Sequence, residues 1–167
     1  MNKLNFIILS IFLIGLSQLA LAGEKKVSLS QVSSTLASFE NSENDYIKDS
    51  IVYREAGKAN YDNFFKESAI LYATLVQLTN TKQQMKDGKV DKESAFGVAT
   101  LAVIAEKTVT LEKDLNRLNG LAGSLNPNND FKGMDKRKLP EATKGMTIAT
   151  KQLGGATKLL ALLLEGN

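Results

Sequence analysis

Residues 139–165, with the sequence LPEATKGMTIATKQLGGATKLLALLLE, carry the helix-packing pattern from which the fold of this chain is predicted. Small and apolar residues recur there at alternating intervals of four and three, which is the spacing of a helix-packing seam. The seam residues are Ala142, Met146, Ala149, Leu153, Ala156, Leu160 and Leu163. Most helical stability in proteins comes from packing of an apolar face. We therefore expect other helices to cover this one.

Two earlier stretches, 61–86 and 97–125, show the same spacing and predict two of the covering helices. The seam of the first is Phe64, Ser68, Leu71, Leu75, Leu78, Lys82 and Met85. The seam of the second is Gly97, Leu101, Ile104, Thr108, Leu111, Leu115, Leu118, Ala122 and Leu125. A turn is predicted at 87–91, with Asp91 as the N-cap of the next helix. Asn126 and Pro127 end that helix, a loop is predicted over 126–138, and Pro140 opens the last helix at its first turn.

A further helix is predicted upstream, from about residue 28 to Ala56. A seven-residue apolar series supports one continuous helix, with the members Val32, Phe39, Tyr46 and Tyr53. The polar run at 41–45 supports the alternative of two short helices, with Asp45 capping the second. Gly57 then stands where a helix C-terminus favours glycine.

The fold predicted from these four patterns is all-α. No segment shows the strict alternation of a half-buried strand, and the only two prolines, Pro127 and Pro140, lie outside the helix interiors. Short connections between long helices favour antiparallel neighbours. We therefore predict an antiparallel up-down four-helix bundle in one domain, residues 23–167.

Residues 1–22 are typical of a cleaved secretory signal peptide. Lys3 precedes an apolar core at 6–16, and Ala20-Leu21-Ala22 matches an A-x-A cleavage site. We therefore expect an exported protein, periplasmic or extracellular, whose mature chain begins at Gly23. We expect no stable transmembrane span after processing, because no later segment approaches 18 uninterrupted apolar residues.

Composition excludes several function classes. The 167 residues include no His and no Cys, which removes most zinc, haem and iron–sulfur sites and most nucleophile–base pairs. We therefore expect no cofactor, no metal site and no enzymatic activity, since acid–base catalysis at neutral pH mostly recruits His. Lys plus Arg is 21 and Asp plus Glu is 18. This balance is too even to indicate a nucleic-acid partner.

Two functional hypotheses remain. The first is binding of another macromolecule, a protein or an envelope component, through a basic cluster and a leucine-rich tail. Its candidate residues are Lys132, Lys136, Arg137, Lys138, Leu159, Leu162 and Leu163. The alternative is a small apolar-ligand carrier with a pocket lined by Tyr46, Tyr53, Phe64 and Tyr72. The same apolar seams could also join copies of the chain into a homo-oligomer.

Three glycines inside the last predicted helix each cost about 1 kcal/mol relative to Ala. They are Gly145, Gly154 and Gly155. Two explanations stay open at this point: close approach of a neighbouring helix, or a hinge that lets the C-terminal half move.

Overall fold

A computed structural model describes residues 53–165 of the protein, apart from the side chains of Ala95 and Phe96. Its elements in chain order are α1 (Ala59–Lys86), α2 (Ala95–Ser124), α3 (Pro127–Asp130), a 3-10 helix η1 (Gly133–Lys138) and α4 (Leu139–Leu164). Within 53–165 there is no strand, so the all-α class is confirmed. The predicted signal peptide and nearly all of the first predicted helix lie outside the described residues. Residues 53–56, the predicted end of that helix, are not helical.

The three seams predicted from sequence form the core almost as expected. Every seam residue of α1 is buried, including Ser68 and Lys82. In α4 the seam is buried except for Met146, which is half-buried against the core. In α2 the seam departs from the prediction at Leu101, which is 39% exposed. Ala99, Thr100 and Val103 are buried there instead.

Contacts at the helix ends fix the directions of the three long helices. Arg54, just before α1, pairs with Glu141 in the first turn of α4 at 3.0 Å. Lys82, near the end of α1, donates to the carbonyl of Leu163 at the end of α4. α1 and α4 are therefore parallel. α2 runs antiparallel to both, because its late residue Arg117 pairs with the early α1 residue Glu67 at 2.7 Å.

The turn between α1 and α2 differs from the prediction at the cap. Gly88 adopts φ +72°, as the predicted turn requires. The N-cap of α2 is Ser94, whose hydroxyl accepts from the Gly97 amide at 3.0 Å, so the assignment of this cap to Asp91 was wrong. The Asp91 carboxylate instead accepts from the Glu93 amide at 3.0 Å. Asp91 stabilises the turn before the helix.

The connection from α2 to α4 is more ordered than the predicted loop. Asn126 caps α3, with Pro127 in the first turn. Phe131 follows and is only 2% exposed. Its ring meets that of Tyr61 edge-on, with centroids 5.0 Å apart. The connection is therefore anchored to the core, and it holds η1 against the end of the bundle.

Two of the three glycines of α4 mark a close approach of α1 to α4. A Cβ at Gly145 would lie 2.3 Å from Cε2 of Phe65, and one at Gly155 would lie 2.6 Å from Cε2 of Tyr72. Gly154 has no heavy atom within 4 Å of the equivalent point. Helix α4 is continuous from 139 to 164. Close packing therefore explains Gly145 and Gly155, and the structure gives no reason for Gly154.

Candidate functional site

Helix η1 forms an exposed basic surface at the end of the bundle where α1 and α4 begin. We call it the basic end surface. Its members are Lys132, Met134, Lys136, Arg137 and Lys138. All five side chains are exposed, and that of Met134 is 86% exposed. The structure thus brings the four predicted basic residues together and adds a methionine that the sequence pattern did not select.

The base of this surface is fixed by contacts to the start of α1. The Lys58 ammonium lies 4.7 Å from the centre of the Phe131 ring and 3.1 Å from the Asp135 carboxylate. It also donates to the carbonyl of Asp130. The Tyr61 hydroxyl donates to the Asp130 carboxylate at 2.5 Å. These bonds link the chain around η1 to the start of α1. The backbone that carries the basic residues is therefore fixed to the rest of the protein.

Nearby carboxylates are engaged elsewhere, which leaves the surface positive. None of the four basic side chains pairs with a carboxylate of residues 53–165, whereas Asp135 pairs with Lys58. The hydrogen bond from Tyr61 holds the pKa of Asp130 below its usual value, with Lys58 and Lys132 adding to the shift. The hydrogen bond from Arg54 likewise lowers the pKa of Glu141.

The leucine-rich candidates lie at the other end of α4, so they do not share a face with the basic end surface. Leu159 is half-buried, Leu162 is 48% exposed, and Leu163 is fully buried in the core. Leu164, which the sequence pattern did not select, is 49% exposed. The burial of Leu163 leaves its side chain no surface to offer a partner.

Lys82 fixes the leucine-rich end of α4 to α1. Its Nζ donates to the carbonyls of Leu163 at 2.5 Å, Glu165 at 3.0 Å and Leu162 at 3.4 Å. The last carbonyls of a helix have no partner within it, so this buried ammonium acts as a cap supplied by a neighbouring helix. Burial lowers the pKa of Lys82, and the charge of Lys86 lowers it further.

The candidate ligand-pocket residues do not converge within the described part of the chain. Tyr46 lies outside it. Tyr53 packs against the core before α1 begins, and Phe64 is 2% exposed with its ring 5.9 Å from that of Phe65. Tyr72 lies two turns further along α1, against Gly155. The carrier hypothesis therefore stays a prediction.

The residues that the structure describes offer no group of three or more Asp and Glu side chains placed to hold a metal ion. No helix within residues 53–165 combines the length and the hydropathy that a membrane span requires.

Comparison with protein-family models, with curated proteins and with solved structures finds no match to this chain.

Proposed function

We propose that this protein is exported and acts without catalysis, by binding an anionic component of the cell envelope through the basic end surface. The observation that carries the proposal is the exposure of Lys132, Lys136, Arg137 and Lys138, which lie in or directly before η1 and have no carboxylate partner within residues 53–165. Clustered cations that keep their charge attract anionic surfaces. The signal sequence at 1–22 supports export.

Met134 supports an envelope surface as the target. An 86% exposed methionine between lysines gives this surface a flexible apolar contact beside its charges. Basic segments that carry apolar side chains bind at the boundary between headgroups and acyl chains. We therefore favour acidic lipid as the anionic component and treat an acidic protein as an outcome of the test.

We also propose that the domain that carries the basic end surface folds as the four-helix up-down bundle predicted from the sequence. The up-down-up order of α1, α2 and α4 supports it, because a preceding antiparallel helix completes the alternation.

The test is co-sedimentation of the mature protein with vesicles of phosphatidylglycerol, with phosphatidylcholine vesicles as the neutral reference. Each Lys or Arg near an anionic surface contributes about 1 kcal/mol. Replacing the four basic residues by Gln should therefore weaken binding by up to roughly 1000-fold at low salt. Met134→Ser should weaken it further without changing its salt dependence.

The matched control replaces four exposed lysines on other parts of the bundle by Gln. They are Lys92, Lys113, Lys151 and Lys158. This variant has the same net charge as the test variant but keeps the basic end surface intact. It should therefore bind anionic vesicles nearly as well as the wild type. Equal losses in both variants would show that only net charge matters, and the proposal would fail. Binding to an acidic envelope protein with no vesicle binding would replace lipid by protein as the target.

A further inference from the structure

Helix η1 holds one of its three sides against the residues that precede α1. In a 3-10 helix, side chains three positions apart eclipse one another, so each side is a ridge of residues at that spacing. In the first ridge, formed by Asp135 and Lys138, the Asp135 carboxylate pairs with Lys58 at 3.1 Å. Cε of Lys138 lies 3.9 Å from the point that a Cβ at Gly57 would occupy. The bundle therefore fixes this side of η1.

Met134 and Arg137 form the ridge of η1 that faces solvent. The remaining ridge runs from Lys136 to Leu139, which packs against the core. Met134 belongs to neither of the two ridges that the protein holds, and its side chain is 86% exposed. Its thioether is therefore open to small molecules in solution, while basic residues flank it in the chain.

The other methionines of residues 53–165 are shielded. Met85, at the end of α1, is only 2% exposed. Met146 is half-buried in α4, where it packs against the core. Susceptibility of a sulfur side chain to a dissolved oxidant follows its exposure. The structure therefore singles out Met134 for reaction among the methionines that it describes.

We propose that Met134 is an oxidation site, and that its conversion to methionine sulfoxide releases the basic end surface from acidic lipid. The release rests on the proposed function, whereas the site of reaction rests only on the exposure of the thioether. The oxidant is a peroxide. With hydrogen peroxide, the sulfur lone pair forms a bond to one oxygen as the O–O bond breaks. The proton of the transferred oxygen passes to the departing hydroxide, so sulfur is oxidised and peroxide is reduced to water.

Oxidation removes the apolar contact of this surface and leaves its charges in place. Methionine sulfoxide is polar, whereas the thioether of Met134 is a flexible apolar group. Burial of a methionine side chain raises an equilibrium constant by roughly tenfold or more, so its loss should weaken binding to anionic vesicles by about tenfold. The basic side chains are unchanged, so the salt dependence of binding should stay the same. Methionine sulfoxide reductases reverse the modification, which makes the release reversible.

The first part of the test measures where oxygen is added. The full mature protein is treated with hydrogen peroxide, and peptide mass spectrometry follows the gain of one oxygen at each methionine. Met134 should react at least about tenfold faster than Met85, and faster than the half-buried Met146. Vesicles of phosphatidylglycerol should slow the reaction of Met134, because the lipid boundary covers its thioether. Phosphatidylcholine vesicles should leave the rate unchanged.

The second part compares vesicle binding before and after peroxide for each variant. Wild-type binding to phosphatidylglycerol vesicles should fall by about tenfold. Sulfoxide reductases of both epimer specificities should restore it, with a dithiol that becomes a disulfide as the oxygen leaves as water. Met134→Leu has no thioether at this position, so peroxide should not change its binding. Met146→Leu is the matched control and should respond as the wild type does. The melting temperature should stay constant throughout, since the Met134 side chain lies outside the core.

Three results would overturn the proposal. Oxidation of Met85 or Met146 as fast as Met134 would reject the site. Oxidised protein that binds phosphatidylglycerol vesicles as tightly as untreated protein would reject the release, as would an equal loss in Met134→Leu. Failure of untreated protein to bind these vesicles would reject the proposed function and the release together. The peptide masses would then still decide the site of oxidation, so the two failures are distinguishable.

Discussion

The close approach of α1 to α4 predicts opposite effects for two identical substitutions in α4. A Cβ at Gly145 would lie 2.3, 2.6 and 2.7 Å from Cε2, Cζ and Cδ2 of Phe65. The optimal separation of carbon atoms is about 3.5–4.0 Å, so the overlap exceeds about 1 Å. Phe65 is 1% exposed and its ring packs between those of Tyr61 and Phe64. It has no space into which to withdraw.

Two terms decide the size of the effect of Gly145→Ala. Overpacking of a rigid core costs about 1–3 kcal/mol, and an immobile ring places this site near the upper value. Alanine favours the helix over glycine by about 1 kcal/mol. We therefore expect a net loss of about 2 kcal/mol in the free energy of unfolding. Gly154→Ala meets no atom within 4 Å, so only the second term applies and stability should rise by about 1 kcal/mol.

The assay is urea and thermal denaturation of the mature protein, followed by circular dichroism at 222 nm. At this chain length 1 kcal/mol corresponds to roughly 3 °C, so the melting temperatures of the two variants should differ by about 9 °C. Phe65→Leu should reduce the overlap, so the double variant with Gly145→Ala should lose less stability than the sum of the single losses. A Gly145→Ala variant as stable as Gly154→Ala would refute the close-packing explanation, and additive losses would show that Phe65 is not its cause.

Three further predictions follow from individual contacts. Lys82→Met keeps the apolar stem but leaves the carbonyl of Leu163 and its neighbours without a donor. Chemical denaturation should therefore show a loss of about 2–3 kcal/mol in the free energy of unfolding. An unchanged urea midpoint would mean that water replaces the ammonium. The Ser68 hydroxyl is fully buried and has no hydrogen-bond partner among residues 53–165, so Ser68→Ala should raise stability by about 1 kcal/mol, and a loss would reveal a partner. The folded-state pKa values of Asp130 and Glu141 lie below their usual values of 3.8 and 4.5, so their stabilising contribution is present above those values and is lost as pH falls through the lowered ones. Urea midpoints measured from pH 6 to pH 2 should therefore fall, and fall less in the Asp130→Asn, Glu141→Gln double variant.

The contrast between Asp91 and Ser94 shows why the sequence could place a helix start only approximately. Both residues are good N-caps, and both use their side chains to accept a backbone amide. Ser94 is the cap in the structure, and Gly97 sits so close to the preceding turn that a Cβ there would lie 2.1 Å from the carbonyl oxygen of Asp91. That contact joins residues of the turn to the helix and has no periodic signature.

The positive charge of the candidate site could be predicted from the sequence, but the contacts that attach it to α1 could not. The four basic residues are close together in the sequence, so any compact connection would group them. Their attachment depends on Phe131 meeting Tyr61 and Lys58, residues about 70 positions earlier in the chain. The leucine-rich tail shows the opposite outcome, since adjacent leucines diverge when a helix turns about 100° per residue: Leu163 enters the core and Leu162 stays half exposed.

Sequence patterns alone predicted the all-α class, the last helix and, apart from Leu101 in α2, the seams of the described helices. Each follows from the period at which one helix must bury its own side chains. The sequence did not determine which helices approach most closely. The packing of the folded chain shows that α1 and α4, parallel and about 80 residues apart, meet through glycines beneath Phe65 and Tyr72. A glycine looks the same in the sequence whether a ring or water lies above it. Whether a glycine of α4 is needed for close packing depends on a side chain of another helix. The periodicity along one helix carries no information about that side chain.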